Sequence, residues 1–300
     1  LSFDDFKKVT IDEKEMFDKV YGKYPPLHSD LLLTTMVSWD GYCSYRYLMV
    51  DGCLLVSNTQ NGDSYFRPPI GPRNDEIATE YSHLAKREGG DHPLSLFTPR
   101  DTDWYQELFP KLEFFSHRNY FEYVYRASDL ADLPGKEFAK IRNKVNRFHR
   151  EHSFTIESID DQNMDEVNCL LHRWCLWKNC GEDRLLQNEK IALLRSMEHF
   201  TELGLKGIAI RIEDRLQGVS IYEDMGNDTA VVHYEKAIPD FKGIYQVINQ
   251  EMAKRLANEG FEYINRQSDM GIEGLRDAKL NYNPHHMVEV SHVPKEKMAL

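Results

Sequence analysis

No apolar run in the sequence comes near the roughly 18 to 20 residues that a membrane-crossing helix needs, and the best candidate is the short LLLTTMV at 31–37. An integral helical span is therefore not expected. Cysteine is sparse: Cys43, Cys53, Cys169, Cys175 and Cys180 make an odd number in 300 residues, which suits free thiols in a reducing compartment better than a disulfide framework. The opening LSFDDFKKV has neither a basic region before an apolar core nor an arginine-rich amphipathic pattern, so no export or transit signal is expected. These features together predict a cytoplasmic protein. Basic charge is also short, with 37 Lys and Arg against 49 Asp and Glu and a formal net charge of −12, which disfavours a nonspecific polyanion binder. There is no P-loop, Rossmann glycine pattern, nucleophile elbow or metalloprotease motif. Cys169, His172, Cys175 and Cys180 match no zinc spacing, and their helical intervals beside Leu171, Trp174 and Leu176 read as core thiols with a packed histidine; no metal site is expected.

What is present is ordinary globular composition, 41% hydrophobic and 29% charged, enough for one large domain or two of roughly 150 residues. Residues 3–22 read as an opening helix, with apolar side chains at near-helical spacing. Three β-rich segments follow, GYCSYRYLMV, CLLVSNT and SYFRPPI, separated by the hairpin signals Asp51-Gly52 and Asn61-Gly62. The loop PPIGPRNDE then leads to a helix over about 76–87, capped by Asn74 or Asp75. The strand PLSLFTP, a helix around TDWYQELF capped by Asp101 or Thr102, and the strands KLEFFSH and YFEYVYR complete the first half. The second half repeats the order. FTIESI is a strand, 163–178 and 189–203 are helices, and LKGIAIRI, LQGVSIYED and TAVVHYEKAI are three strands. The loop PDFKG (239–243), a helix over 244–258, a strand over 261–267, a helix over 272–281 and a closing strand MVEVSHV follow. PPIGP (68–72) thus corresponds to PDFKG, and the expected division is 1–130, a linking helix over 131–152, and 153–300.

That linking helix shows Phe138, Ile141, Val145 and Phe148 on one stripe and Lys136, Lys140, Lys144 and Arg147 on another, with Arg142 flanking. Lys140, Arg142, Lys144 and Arg147 form either a solvated face or a surface for the phosphates of a tRNA acceptor arm. In the loop at 239–243 the chain passes from a strand end into a helix N-terminus, where unpaired N–H groups and the helix dipole can hold an anion. Lys242, Gly243, Tyr245 and Gln246 are the candidate donor-binding residues, against a purely structural turn. Alternation on the strand 231–236 places His233 and Glu235 on one face. Either could take the proton in an acyl transfer, unless Glu235 is a structural partner of Lys236, Arg266 or Arg276. NRQSDMGIEGLR gathers Asn265, Arg266, Asp269, Glu273 and Arg276 at a strand-to-helix turn. Arg266 could grip a carboxylate or phosphate and Asp269 or Glu273 an ammonium; alternatively Asp269 caps the helix and Glu273 bonds Arg276.

The wording HYEKA, KGIYQVINQEMAKRL and YINRQSDMGIEGLRDAKLNYNP, with an echo at RNKVNRF, resembles the C-terminal domain of lysyl-phosphatidylglycerol synthetases and their free-standing relatives. The resemblance implies an α/β fold of two tandem GNAT-like halves, each a mixed, mainly antiparallel sheet flanked by helices, related to the Fem-type transferases that move amino acids from aminoacyl-tRNA to an amine or hydroxyl. In GNAT folds the donor lies against the strand that carries His233 and Glu235. The usual phosphate cradle has a basic residue or Gln followed by glycines; here Asp240 precedes Gly243 by three residues and Tyr245 stands where the second glycine would be, which disfavours coenzyme A in the usual pose. The expectation is an acyltransferase using aminoacyl-tRNA, the alternatives being acyl-coenzyme A transfer or a non-catalytic binding module. No permanently bound cofactor is expected, and the acceptor is a small molecule, a peptide or a peripheral lipid.

Overall fold

The computed structural model describes residues 1–300. In chain order the elements are β1 (Lys7–Lys8), α1 (Lys14–Tyr21), α2 (Leu33–Ser38), β2 (Ser44–Val50), β3 (Cys53–Gln60), β4 (Asp63–Phe66), α3 (Asp75–Glu88), β5 (Leu94–Phe97), α4 (Pro99–Leu108), β6 (Phe115–Ser116) and β7 (Glu122–Arg126). They continue as α5 (Ala127–Asp132), α6 (Ala139–Glu151), β8 (Phe154–Ser158), α7 (Met164–Lys178), α8 (Arg184–Glu198), β9 (Lys206–Ile212), β10 (Arg215–Gly226), β11 (Thr229–Ala237), α9 (Ile244–Asn258), β12 (Tyr263–Ser268), α10 (Glu273–Leu280), β13 (His286–Val288) and β14 (Ser291–Val293). Two compact units result. The first is Leu1–Glu122 with Ser268–Gly271 and Val288–Leu300; the second is Tyr123–Gln267 with Ile272–Met287.

The first unit holds a seven-stranded sheet ordered β1-β2-β3-β4-β5-β14-β6. Its hairpins turn at Asp51-Gly52 and Asn61-Gly62, where both residues of each pair take positive φ, as a two-residue turn matching the strand twist requires. Helix α3 starts at Asn74, whose side chain accepts from the Ile77 N–H at 3.1 Å. Its buried Ile77, Ala78, Tyr81, Leu84 and Ala85 join Phe66, Leu94 and Phe97 in one core.

The second unit holds a seven-stranded sheet ordered β13-β7-β12-β11-β10-β9-β8. Here α9 contributes Ile244, Val247, Ile248, Met252, Ala253 and Leu256 to a core shared with strands β9 to β12 and with the predicted stripe of α6, Phe138, Ile141, Val145 and Phe148. Each of those side chains removes apolar surface worth roughly 1.5 to 3 kcal/mol, so α6 is a structural helix of this unit.

In each unit a meander of three antiparallel strands leads through a loop and a helix to a fourth strand that is parallel to the third for a short distance only. β4 meets β5 at the single pair Phe66↔Leu94. β11 meets β12 over Thr229–Val231 with Tyr263–Asn265, although β11 runs on to Ala237. Just past each last pair stands a non-glycine residue with positive φ, Leu96 at 61° and Gln267 at 61°.

Several expectations are corrected. Only Lys14–Tyr21 of the opening segment is α-helix. Residues before it form two three-residue 3-10 turns, because Ser2 with Asp5 and Thr10 with Glu13 close capping boxes that offer the backbone local partners. Asp101 is the third residue of α4 and bonds back to Thr98, which holds the cap position. The expected closing strand 287–293 is two strands in different sheets, and the strand 122–126, assigned to the first half from its sequence, lies in the second unit's sheet. The units therefore exchange a strand each near residues 122 and 288, which a linear division at 130 and 153 does not describe.

Candidate active site in the second unit

The parting of β11 from β12 brings together His233, Glu235 and Arg266 from among the residues singled out from the sequence. Opposite Ile221 and Tyr222 of β10 the partners are Tyr234 and Val232, so His233 is the extra residue of a β-bulge. A bulge shifts the phase of alternation. His233 and Glu235 consequently find different partners, not the shared face that simple alternation suggests.

His233 donates from Nε2 to Glu223 Oε1 at 2.6 Å, with side chains only 4% and 13% exposed. That bond leaves Nδ1 as the acceptor nitrogen, and the Gln267 amide donates to it at 3.2 Å. A carboxylate behind an imidazole fixes the tautomer and stabilises the imidazolium, the arrangement of a general base.

Glu235 is engaged on both oxygens. Arg266 Nη2 donates to Oε1 at 3.0 Å and Asn249 Nδ2 to Oε2 at 3.4 Å. The Arg266 guanidinium also lies over the rings of Tyr282, at 5.0 Å, and Tyr125, at 6.0 Å. Burial opposes its charge most, and only Glu235 together with the Tyr125 and Tyr282 phenols turns the balance toward the charged form. Burial also pushes the Tyr282 phenol up to about 12 despite the arginine, so it stays neutral. The pairing of Glu235 with Arg266, one of the structural alternatives, is thus present, and Arg266 is no free clamp. Two polar atoms beside Glu235, a hydroxyl and an amide oxygen, are nevertheless unpartnered. Ser220, directly across the sheet from Glu235, has a buried Oγ without a partner, and so has Asn249 Oδ1.

The loop into α9 is built differently from a phosphate cradle. Gly243 has φ 98°, and a Cβ there would meet the Lys144 carbonyl oxygen of α6 at 3.1 Å, so glycine is required twice over. The N–H groups of Ile244, Gln246 and Val247 are already bonded to the Phe241 and Gly243 carbonyls, which leaves little for an anion. Tyr245 folds back. Its hydroxyl bonds both the N–H (3.2 Å) and the C=O (3.0 Å) of Ala237 and accepts from Trp174 Nε1 at 3.2 Å. The free edge of β11 is thereby closed at Ala237. Lys242 is exposed, and Gln246 contacts the Tyr282 hydroxyl. Beside Trp174, Lys236 lies 4.2 Å from the ring centroid and pairs with Glu189 at 2.6 Å.

The remaining candidates disperse. Asn265 is buried and its Oδ1 accepts from the Gln267 N–H at 2.7 Å, fixing the strained residue. Asp269 belongs to the first unit, fully buried, bonded to Arg118 at 3.1 Å and to the Gly271 N–H at 2.8 Å. It closes a local turn and does not cap α10, whose N-cap is Ile272 without a side-chain bond. Glu273 is exposed in the first turn of α10 and Arg276 half-buried one turn on. On α6, Arg142 donates to the carbonyls of Leu133 and Gly135 after α5, and Arg147 pairs with Glu151; Lys140 and Lys144 stand exposed. Sequence reasoning missed Glu223, Gln267, Ser220, Asn249 and Lys279. Lys279 is buried over the Tyr123 ring and donates to the Arg266 and Gln267 carbonyls, holding the end of β12. The DAKL spacing on a short amphipathic helix was its only signal.

Set against known proteins, residues 22–292 match the family described as phosphatidylglycerol lysyltransferase, C-terminal. The chain belongs to that family. Among solved structures, a conserved protein of unknown function from Bacteroides thetaiotaomicron VPI-5482 is 27% identical with TM-score 0.89 over 96% of this chain and 98% of that one. L-PGS of Bacillus licheniformis is 14% identical with TM-score 0.67 over 94% and 91%. FemX, 10% identical with TM-score 0.51 over 94% and 96%, shares the fold of two GNAT-like halves. An uncharacterized protein of Mycoplasmoides gallisepticum is 24% identical over 174 residues; the match spans 58% of this chain and 56% of that relative. This member of the phosphatidylglycerol lysyltransferase C-terminal family is thereby related to aminoacyltransferases. None of its helices is long and apolar enough to cross a membrane.

Proposed function

We propose that the chain moves an aminoacyl group from aminoacyl-tRNA to an amine or hydroxyl acceptor, a small molecule, a peptide or a peripheral lipid. The observation that carries the choice of donor is Asn249 Oδ1, a buried acceptor without a partner beside the Glu235 carboxylate, with the equally unpartnered Ser220 hydroxyl across the sheet able to accept as well. Buried acceptors favour a donor-rich group, and the α-ammonium of an aminoacyl ester is one; the acetyl group of a coenzyme A thioester has no N–H to offer. The Tyr245 hydroxyl on Ala237 and the engaged N–H groups in the first turn of α9 weigh against coenzyme A in the same direction.

In the proposed reaction the acceptor N–H or O–H attacks the ester carbonyl. The new C–N or C–O bond forms, the bond to the tRNA ribose oxygen breaks, and His233 Nδ1, released from Gln267, takes the acceptor's proton and returns it to the ribose oxygen. Glu223 holds the imidazolium while it exists. Lys140 and Lys144 supply phosphate contacts for the tRNA without reading its sequence, and family membership supports this class of donor.

The test is transfer of labelled amino acid from charged tRNA, run beside acetyl-coenzyme A consumption, with Ser220→Val and Asn249→Leu variants. The reading expects use of charged tRNA that falls in both variants while the fold persists. Consumption of acetyl-coenzyme A alone would refute it, and use of neither would favour a binding module without catalysis.

A further inference from the structure

In the first unit, where β4 and β5 part, Arg67 is 8% exposed and has no ion pair. Its side chain makes a single hydrogen bond, from Nη1 to Ser95 Oγ, and its Nε is buried without a partner. A buried guanidinium with one edge unsatisfied is costly unless something occupies that edge, and the Nε and Nη2 edge is the one that grips a carboxylate or phosphate with two parallel bonds. Burial raises the Tyr45 and Tyr120 phenols, with Asp30 adding to the rise and Arg67 opposing it, yet Asp30 and Arg67 make no ion pair with each other.

The surroundings are polar and unfinished. Arg67 continues the β3–β4 ladder through its N–H to the Val56 carbonyl at 2.9 Å, so it shares a face with Tyr65 and with Asn58 across from it. Asn58 Oδ1 is buried and unpartnered. Across β5, His292 of β14 lies beside the irregular step between Ser291↔Phe97 and Val293↔Leu94, next to Ser95. His292 and His117 meet edge to face with ring centroids 4.7 Å apart, and each has a buried, unpartnered Nδ1. A neutral imidazole can carry its proton on either nitrogen, so both can donate. Burial, His292, His92 and the Arg67 charge hold His117 down at about 4. Leu96, one residue beyond Ser95, has φ 61°, a strained state for a branched side chain and one that gathers at ligand sites.

We infer that Arg67 anchors an oxyanion-binding site in the first unit, taking the carboxylate or phosphate group of a polar ligand between β4 and β5, with Ser95 and the Nδ1 atoms of His117 and His292 as further donors. The inference stands apart from the aminoacyl-transfer reading, since it concerns other residues and needs no catalysis.

The test follows the arginine Nε–H resonances of the full chain, with that of Arg67 assigned from Arg67→Lys, during titration with inorganic phosphate and separately with acetate, chloride holding the ionic strength constant. A saturable shift of the Arg67 resonance with either anion is expected. Phosphate alone would indicate a phosphate-bearing ligand and acetate alone a carboxylate. Under the same conditions Ser95→Ala should weaken the binding several-fold, and Arg67→Met, if folded by near-ultraviolet circular dichroism, should abolish it. An Arg67 resonance that responds to neither anion, or binding that survives in Arg67→Met, would overturn the proposal; the wild-type titration decides even if Arg67→Met does not fold.

Discussion

The two units reach the same branch point with opposite electrostatics. In the second, the residue following the last parallel pair of β12 is Arg266, and the neighbouring strand answers it with Glu235. In the first, the residue following the last pair of β5 is Ser95, and the neighbouring strand supplies Arg67 with no carboxylate. One parting is neutralised from within. The other leaves a positive charge with one edge open, and a fold that splays its strands at the same place twice can use the gap for two kinds of ligand.

The comparison breaks most sharply under substitution of the two arginines. Arg266→Met orphans the interior Glu235 carboxylate and should cost about 3 to 5 kcal/mol in urea unfolding. Arg67→Met orphans no charge and should cost markedly less; equal losses would remove the distinction. Next in size, Tyr245→Phe removes the hydroxyl that satisfies both backbone groups of Ala237 and should cost about 1 to 3 kcal/mol, again read by urea unfolding. Gly243→Ala sets positive φ and the Lys144 carbonyl against a new Cβ, for about 1 to 2 kcal/mol from conformation alone. Gly62→Ala, at φ 94° with open space around it, carries the conformational part only and should lose less.

A further effect depends on pH and concerns His117. Its folded value is depressed below the ordinary histidine range, so between pH 6.5 and about 4 the unfolded chain binds the extra proton first. The stability it contributes is present above pH 6.5 and lost as pH falls toward 4. His117→Gln should flatten that part of the pH–stability curve, and an unchanged slope would contradict the depressed value.

Much of this fold was legible because its local signals agree with each other. Asp51-Gly52 and Asn61-Gly62 could serve only as tight turns, and the four-residue stripe of α6 could only be a buried helix face. The strand exchange was not legible, since YFEYVYR and MVEVSHV read as strands without saying which sheet receives them. Of the site, Arg266 and His233 were visible as polar residues on apolar strands. Their partners were not: Glu223 is ten residues away on the preceding strand, and the bulge that separates His233 from Glu235 is a property of the β10–β11 register. Arg67 drew no attention in the sequence, where it is a basic residue before a proline, because the absence of a counter-charge shows only once the chain is folded.

The most direct test of the account is the single-turnover rate of aminoacyl transfer from charged tRNA by wild type and by His233→Gln, with folding and tRNA binding measured on both. If the His233–Glu223 pair carries the proton, the rate should fall by about 10² to 10⁴-fold while binding and fold stay unchanged. A rate within a factor of about two of wild type would contradict the assignment.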